Sequence, residues 1–279
     1  MLKWRWENIE KTKRLSVKND FVFKRIFAYK GNEEYLKDFL SSLLKMDIKE
    51  IELEHDVSLE KDLIDEKIGV LDVKATLNNN VEVDIEIQLK NYDNMIERAE
   101  FYASKMLSAQ LKKGEEYIKV KPVIIISILD FDYFEFEEHI TKGIIVAEKH
   151  REKIIDKYVT YYYIELPKFR RKKLDKEDKT SQWLTFIDSE NEKRVMEVME
   201  KNDKVKKANE ELEYLSGDER VRRLAELRES GLREMAAAKR YGYTKGKEEV
   251  AKAMLKKDMD INTIIELTGL SKDEVENLN

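Results

Sequence analysis

The spacing of hydrophobic positions changes several times along the chain, and each change marks an element. From Val17 to Met46, Phe21, Phe23, Ile26, Phe27, Tyr35, Leu36, Phe39, Leu40, Leu43 and Leu44 recur at helical spacing, broken at Gly31-Asn32. That pattern predicts two helices, or one interrupted helix. Residues 50–59 alternate, with Ile51, Leu53, Val57 and Leu59 on one side, as a first strand would. Residues 69–90, GVLDVKATLNNNVEVDIEIQLK, alternate further. One face carries Leu71, Val73, Ala75, Val81, Val83, Ile85, Ile87 and Leu89; the other carries Asp72, Lys74, Glu82, Asp84, Glu86, Gln88 and Lys90. Asn78, Asn79 and Asn80 separate the two halves, and asparagine tolerates the positive φ of a tight turn, so the stretch reads as a β-hairpin.

A helix is expected from about Asp93 to Lys113, with Ile96, Ala99, Ala103, Met106, Leu107 and Gln110 on one face and Gly114 closing it. KPVIIISILDF (121–131) has the continuous apolar run of a central strand covered on both faces, and YVTYYYIELPKF (158–169) reads as a further strand ended by Pro167. The helix between strands 81–90 and 122–129 has the length that a right-handed crossover between parallel strands requires. The order of helix, three meandering strands, helix, strand and strand is that of an α/β core. Tyr161, Tyr162 and Tyr163 alternate within their strand and are expected in the core.

Beyond Arg170 the strand signal stops, and Glu, Lys, Arg, Ala and Leu dominate to the end, which predicts helices. Joints are expected at Ser216-Gly217-Asp218, at Gly242 to Gly246, at Asp258 to Asp260 and at Gly269, with Ser271 and Glu274 spaced as a capping box. Trp183 and Phe186 are expected to pin the helical part to the core. The chain thus divides into a core at 15–175, a helical extension at 176–245 and a small helical element at 246–279. In that last element Ile261–Thr268 and Ser271–Leu278 could form a helix-turn-helix. The second helix carries Lys272, Asp273, Glu274 and Glu276, an acidic surface that sits poorly in a major groove, so packing or assembly is the preferred role and DNA contact the alternative.

Composition narrows the chemistry. With 42% hydrophobic residues in 279, a sizeable core can form. No apolar run is long enough to span a bilayer, and the first residues lack a secretory signal, so no membrane role is expected. There is no cysteine, which makes a cytoplasmic location the expectation and removes thiol chemistry. Charged residues reach 40% for a net charge of only −5, so any nucleic-acid surface must be local. His55, His139 and His150 lack the spacing of zinc ligands.

The hairpin carries the sharpest question. If the three asparagines form the loop, Leu77 lies beside Val81 and Asp72 faces Glu86. Carboxylates on directly opposed residues, about 4.5–5.5 Å apart at Cβ, repel unless a cation or a proton separates them. One reading is a Mg²⁺ site; the other is a solvated face, on which Lys74 opposite Asp84 makes an ordinary salt bridge. Both stay open on spacing alone. Arg98, Tyr102 and Lys105 share the side of the crossover helix away from its apolar stripe, where they could hold phosphate or form an ion-paired surface. The run from Lys168 through Arg170 and Arg171 to Lys173 is the densest basic stretch and could meet a phosphate backbone or serve as a linker.

Asp72, a hairpin turn and Glu86-Ile87-Gln88, preceded by an N-terminal helix and followed by a crossover helix and VIIIS, resemble the PD-(D/E)XK nuclease superfamily. Within it the chain is similar to the Rpn family, the recombination-promoting nucleases also described as transposases. NDFVFKRIF (19–27), LDV (71–73), IEIQ (85–88), the spacing of Arg98 and Tyr102, IELPKF (164–169) and the C-terminal ELTGLSKDEV carry the likeness. The resemblance implies a restriction-endonuclease-like mixed sheet (an αβββαβ core) with an all-helical C-terminal extension. It implies a DNA endonuclease using Mg²⁺ or Mn²⁺, with Asp72, Glu86 and the carbonyl of Ile87 on the metal. Gln88 stands where the wider superfamily has a catalytic lysine; glutamine brings no positive charge to the transition state, and Lys74 or Lys90 on the same face could supply it. Asp20 on the first helix is similar to a family position and could approach the metal, or simply cap the helix. DNA is the expected partner, with a homodimer possible. The alternative is an inactive nuclease-like scaffold that binds DNA or protein.

Overall fold

The computed structural model describes residues 14–54, 73–189 and 191–278. Helices α1 (Asp20–Phe27) and α2 (Glu33–Leu44) open the chain, with Asn19 capping α1 by accepting from the backbone of Phe21 and Val22. The break falls at Gly31, whose φ of 99° suits glycine. Strands β1 (Ile51–Leu53), β2 (Val73–Leu77) and β3 (Val81–Gln88) form the antiparallel meander. Asn78 and Asn79 take the positive φ of the turn, at 48° and 56°. The side chain of Asn78 does more than turn: its Oδ1 accepts from the backbone of Lys49 (2.8 Å) and Glu50 (3.1 Å), and its Nδ2 donates to the Asp47 carbonyl (3.0 Å). The hairpin tip is thereby clasped to the chain leading into β1.

Helix α3 (Met95–Ala109) crosses over, and β4 (Val123–Leu129) returns parallel to β3, as expected. Then follow β5 (Ile140–Gly143), β6 (Val146–Ala147), β7 (His150–Ile154) and β8 (Val159–Glu165). The six-stranded sheet runs β1-β2-β3-β4-β8-β5, while β6 and β7 pair apart from it. The hydrophobic pattern does not foretell strands β5 to β7. Pro167 does not stop structure after β8; it sits in the first turn of α4 (Leu166–Arg171), where a missing N–H costs nothing.

The strands' alternation decides what each face meets. Val73, Ala75, Leu77, Val83, Ile85 and Ile87 join Ile124, Ile126 and Ile128 beneath α1, α2 and the helices α5 (Lys179–Asp188) and α7 (Asp203–Gly217). Trp183 and Phe186 are fully buried there, with Trp183 5.5 Å from Phe27 between ring centroids and its Nε1 donating to Asp38 at 2.9 Å. The helical segment is therefore built into the core, as its aromatic residues imply. On the other face, Met95, Ala99, Ala103 and Met106 of α3 cover Val123, Ile125, Leu129, Tyr161 and Tyr163.

Helices α6 (Glu192–Met199), α8 (Glu219–Leu255), α9 (Ile261–Thr268) and α10 (Lys272–Glu276) complete the chain. By compactness it divides into units 1–226 and 227–279, a boundary within α8. No joint occurs at Gly242 to Gly246. Both glycines lie inside α8; neither is joined by a proline or a left-handed residue, and Ala236 to Arg240 before them and Lys247 to Glu249 after them are strong helix formers. Gly269 does end α9, with φ 65°, and Ser271 and Glu274 form the capping box of α10.

Candidate nuclease site

The register of the hairpin is the one that the Asn turn predicts: Val73 faces Ile85, Lys74 faces Asp84, and Leu77 faces Val81. Asp72 and the other residues 55–72 lie outside the described residues, so its expected pairing with Glu86 is not described. What is described overturns the wet-face reading. Asp84 is 0% and Glu86 2% exposed, because α3 lies across this face of the sheet.

The two acids solve burial differently. Glu86 is held by Arg98 of α3 through two contacts, Nε to Oε2 at 2.8 Å and Nη2 to Oε1 at 3.3 Å, and the Gln88 side-chain amide donates to Oε2 at 3.3 Å. Arg98 also donates to the Tyr102 hydroxyl at 3.0 Å. Arg98 and Tyr102 thus point to the same site as Glu86, one helical turn apart on α3. Both oxygens of Asp84, by contrast, are buried without a hydrogen-bond partner. The expected salt bridge with Lys74 does not form; Lys74 acts on Asp84 through space. Burial pushes the Asp84 carboxyl up to about 7; Lys74 and Arg98 oppose that rise, while Glu86 and Glu54 add to it. Sequence reasoning misses Asp84 as a site residue, although its place two residues before Glu86 puts it on the same face.

The remaining candidates scatter. Gln88 is half-buried at the end of β3, Lys74 is half-buried on β2, and Lys90 is exposed beyond β3. Ile87 is buried on the opposite face, two residues past the last described β2 partner, and the ladder to β4 is made by Gln88, whose carbonyl accepts from Asp130 N at 2.9 Å. Lys105 is exposed on α3, two turns beyond Arg98. Asp20 opens α1 and its carboxylate accepts from Phe21 N at 2.8 Å, a capping contact.

The first part of the basic run expected to meet phosphate is turned inward, while Arg171, Lys172 and Lys173 are exposed. Lys168 is 6% exposed and donates to Glu165 Oε2 and to the Phe134 carbonyl, both at 2.8 Å, because Glu165 at the end of β8 is itself wholly buried. The other oxygen of Glu165 accepts from the backbone of Tyr133 (2.6 Å) and Phe134 (3.2 Å). Arg170 reaches Asp188 (2.8 Å) and Asp130, and Lys18 joins the same group through Asp130 at 2.8 Å. Arg171 is more exposed and pairs with Asp132 at 2.9 Å. A local charge count gives no sign of these partners.

Residues 17–242 match the family model of the PD-(D/E)XK nuclease family transposase. The chain belongs to that family. Residues 244–279 match the C-terminal HTH domain of the Rpn/YhgA-like nuclease family. Comparison with curated proteins and with solved structures found no match. The mixed sheet with its helices is accordingly the restriction-endonuclease-like fold with a helical extension. Nucleases of the PD-(D/E)XK type generally use divalent metals. Among the described residues no group of three or more acids or histidines is arranged for a metal, and no helix is long and apolar enough to cross a membrane. The donor set nonetheless fits a hard cation: a buried, unpartnered carboxylate at Asp84 stands on the same face as Glu86.

Proposed function

We propose that this chain is a metal-dependent DNA endonuclease acting on recombination or mobile-element DNA, with Asp72, Glu86 and the Ile87 carbonyl holding Mg²⁺ or Mn²⁺. The observation that carries the reading is the buried acidic pair on β3, one member engaged by Arg98 and the other lacking any hydrogen-bond donor. An uncompensated buried carboxylate is costly, and a cation or a proton is what relieves it. The chemistry a divalent ion supplies at such a site is activation of water and offset of charge developing on a phosphodiester.

The chain's own residues then have separate tasks. Gln88 orients by hydrogen bonding, its amide already directed at Glu86. Arg98 and Tyr102 sit at the acids and Lys105 further along α3, a line suited to phosphate oxygens. Lys74 and Lys90 add positive charge beside the strand pair. Double-strand cutting asks for two such sites, so a homodimer belongs to this reading. The test is nicking of supercoiled plasmid with and without divalent ion. Asp72→Ala and Glu86→Gln are expected to abolish ion-dependent nicking with circular dichroism unchanged; a variant that cuts like the parent overturns the assignment.

A second reading, a scaffold that binds without cutting, is favoured by one feature. Gln88 lacks the charge of a catalytic lysine, and Glu86 is already neutralised by Arg98. Absence of any Glu86-dependent binding of Mn²⁺ in calorimetry would select it.

A further inference from the structure

We propose that Arg98 is a built-in counter-ion for Glu86 that a divalent ion must displace, and that the displaced guanidinium then becomes the phosphate-facing positive charge that Gln88 cannot provide. The proposal rests on Glu86 being a metal ligand. Its basis is the geometry of a single carboxylate. Arg98 Nε is 2.8 Å from Oε2 and Nη2 is 3.3 Å from Oε1, so the fork covers both oxygens of Glu86. Gln88 Nε2 adds a second donor on Oε2 at 3.3 Å. A cation that takes either oxygen competes with an N–H already directed at it.

The two partners differ in freedom to move. Glu86 is on a central strand and its side chain is 2% exposed, whereas the Arg98 side chain is 25% exposed on a helix at the edge of the site. Displacement therefore falls on the arginine. It has a second perch one turn away: Nη2 donates to the Tyr102 hydroxyl at 3.0 Å, and the guanidinium carbon lies 5.0 Å from the centre of that ring. Charge balance points the same way. Arg98 gives one positive charge to a face that buries Asp84 and Glu86, and Asp84 has no hydrogen-bond donor. A divalent ion can serve both acids, whereas of these two the guanidinium hydrogen-bonds Glu86 and not Asp84, and the displaced Arg98 can then meet a new anion.

The experiment is titration of the full chain with Ca²⁺ or Mn²⁺ by calorimetry, with thermal unfolding in chelator alongside. Arg98→Met keeps the aliphatic stem and removes the competitor. It is expected to bind the ion at least about fivefold more tightly than the parent, while unfolding at lower temperature in chelator. Arg98→Lys keeps the charge without the fork and is expected to fall between the two. On the parent chain, the Arg98 Nε–H resonance should shift when Mg²⁺ is added. Ion binding that requires Glu86 but is equal or weaker in Arg98→Met, or an Nε–H signal that does not move, overturns the proposal and leaves the metal site standing. If no ion binding depends on Glu86, as judged with Glu86→Gln, the metal-site reading fails and this proposal falls with it.

Discussion

The two units of the chain use charge in opposite ways. In residues 1–226 charged groups reach the interior and most are matched there, Glu165 with Lys168, Asp38 with Trp183 and Lys204, Glu86 with Arg98, with Asp84 the exception. In residues 227–279 the small core is Ala251, Ile264, Leu270 and Val275, and no carboxylate among the described residues is buried. Charge there is sorted along the chain instead. Residues 239–257 hold seven Lys or Arg against two Glu, and residues 258–279 hold one Lys against six acids. Buried pairs constrain geometry, whereas surface charge sets long-range attraction at little structural cost.

That contrast can be broken at several points. The largest effect is expected from Glu165→Ala, which strands a buried ammonium and frees two backbone N–H groups; loss of about 3–5 kcal/mol of stability, read by chemical denaturation, is the expectation. A near-neutral result would mean that the inner charges are not matched as described.

Asp38 tests the same idea through pH. Burial raises its carboxyl pKa, but hydrogen bonds from Trp183 and Lys204, with the charges of Lys204 and Lys179, outweigh burial and hold it below the usual value. Its folded pKa is depressed, so its contribution is complete above the unfolded pKa and is lost as pH falls through the folded one. Asp38→Ala should cost roughly 1–3 kcal/mol at pH 7, since the buried indole N–H loses its acceptor. The gap between variant and parent should begin to narrow below about pH 4, where the unfolded chain's aspartate takes up a proton, and go on narrowing as pH falls through the lower folded pKa. A gap that is independent of pH would remove Asp38 from the charged network.

Smaller effects are expected in the C-terminal unit. Gly242→Ala and Gly246→Ala should each stabilise α8 by about 0.5–1 kcal/mol, because both glycines are helical and an added Cβ meets nothing within 4 Å. Destabilisation by either would argue for a joint at these glycines after all. The smallest effect on folding should come from Lys252, Lys256 and Lys257 changed together to Gln, below about 0.5 kcal/mol. If these lysines meet DNA, the same triple variant should lower the salt dependence of duplex binding in chelator, by about 0.9 in log–log slope for each phosphate no longer neutralised. An unchanged slope would leave the basic stretch of α8 as plain surface.

What can be read from residues follows the strength of the local signal. The meander and its register are legible because three asparagines fix the turn, and strict alternation leaves one face apolar. The crossover is legible from the length of α3 and the unbroken apolar run of β4. Strand β7, HREKI, is exposed throughout, so no alternation marks it. Strand β5 is a short edge with Lys142 and Gly143 among its residues, equally unmarked. Spacing singles out the acids Asp72 and Glu86, but it does not reveal the burial of Asp84 and Glu86. That burial depends on how α3 lies on the sheet, a tertiary fact that places Arg98 against a residue twelve positions earlier. The inward turn of Lys168 has the same cause, since its partner Glu165 lies one turn back but faces the loop at 133–134.

The clasp made by Asn78 has a consequence for the residues that connect β1 to β2. Glu54 N donates to the Lys74 carbonyl at 3.0 Å, so this connection leaves and rejoins the sheet at neighbouring points that the amide of Asn78 helps secure from the far end. Closing such a connection depends only weakly on its length. A change in the length of this connection should therefore leave β1 and β2 in register, with Leu53 still opposite Ala75 and Val73 still opposite Ile85.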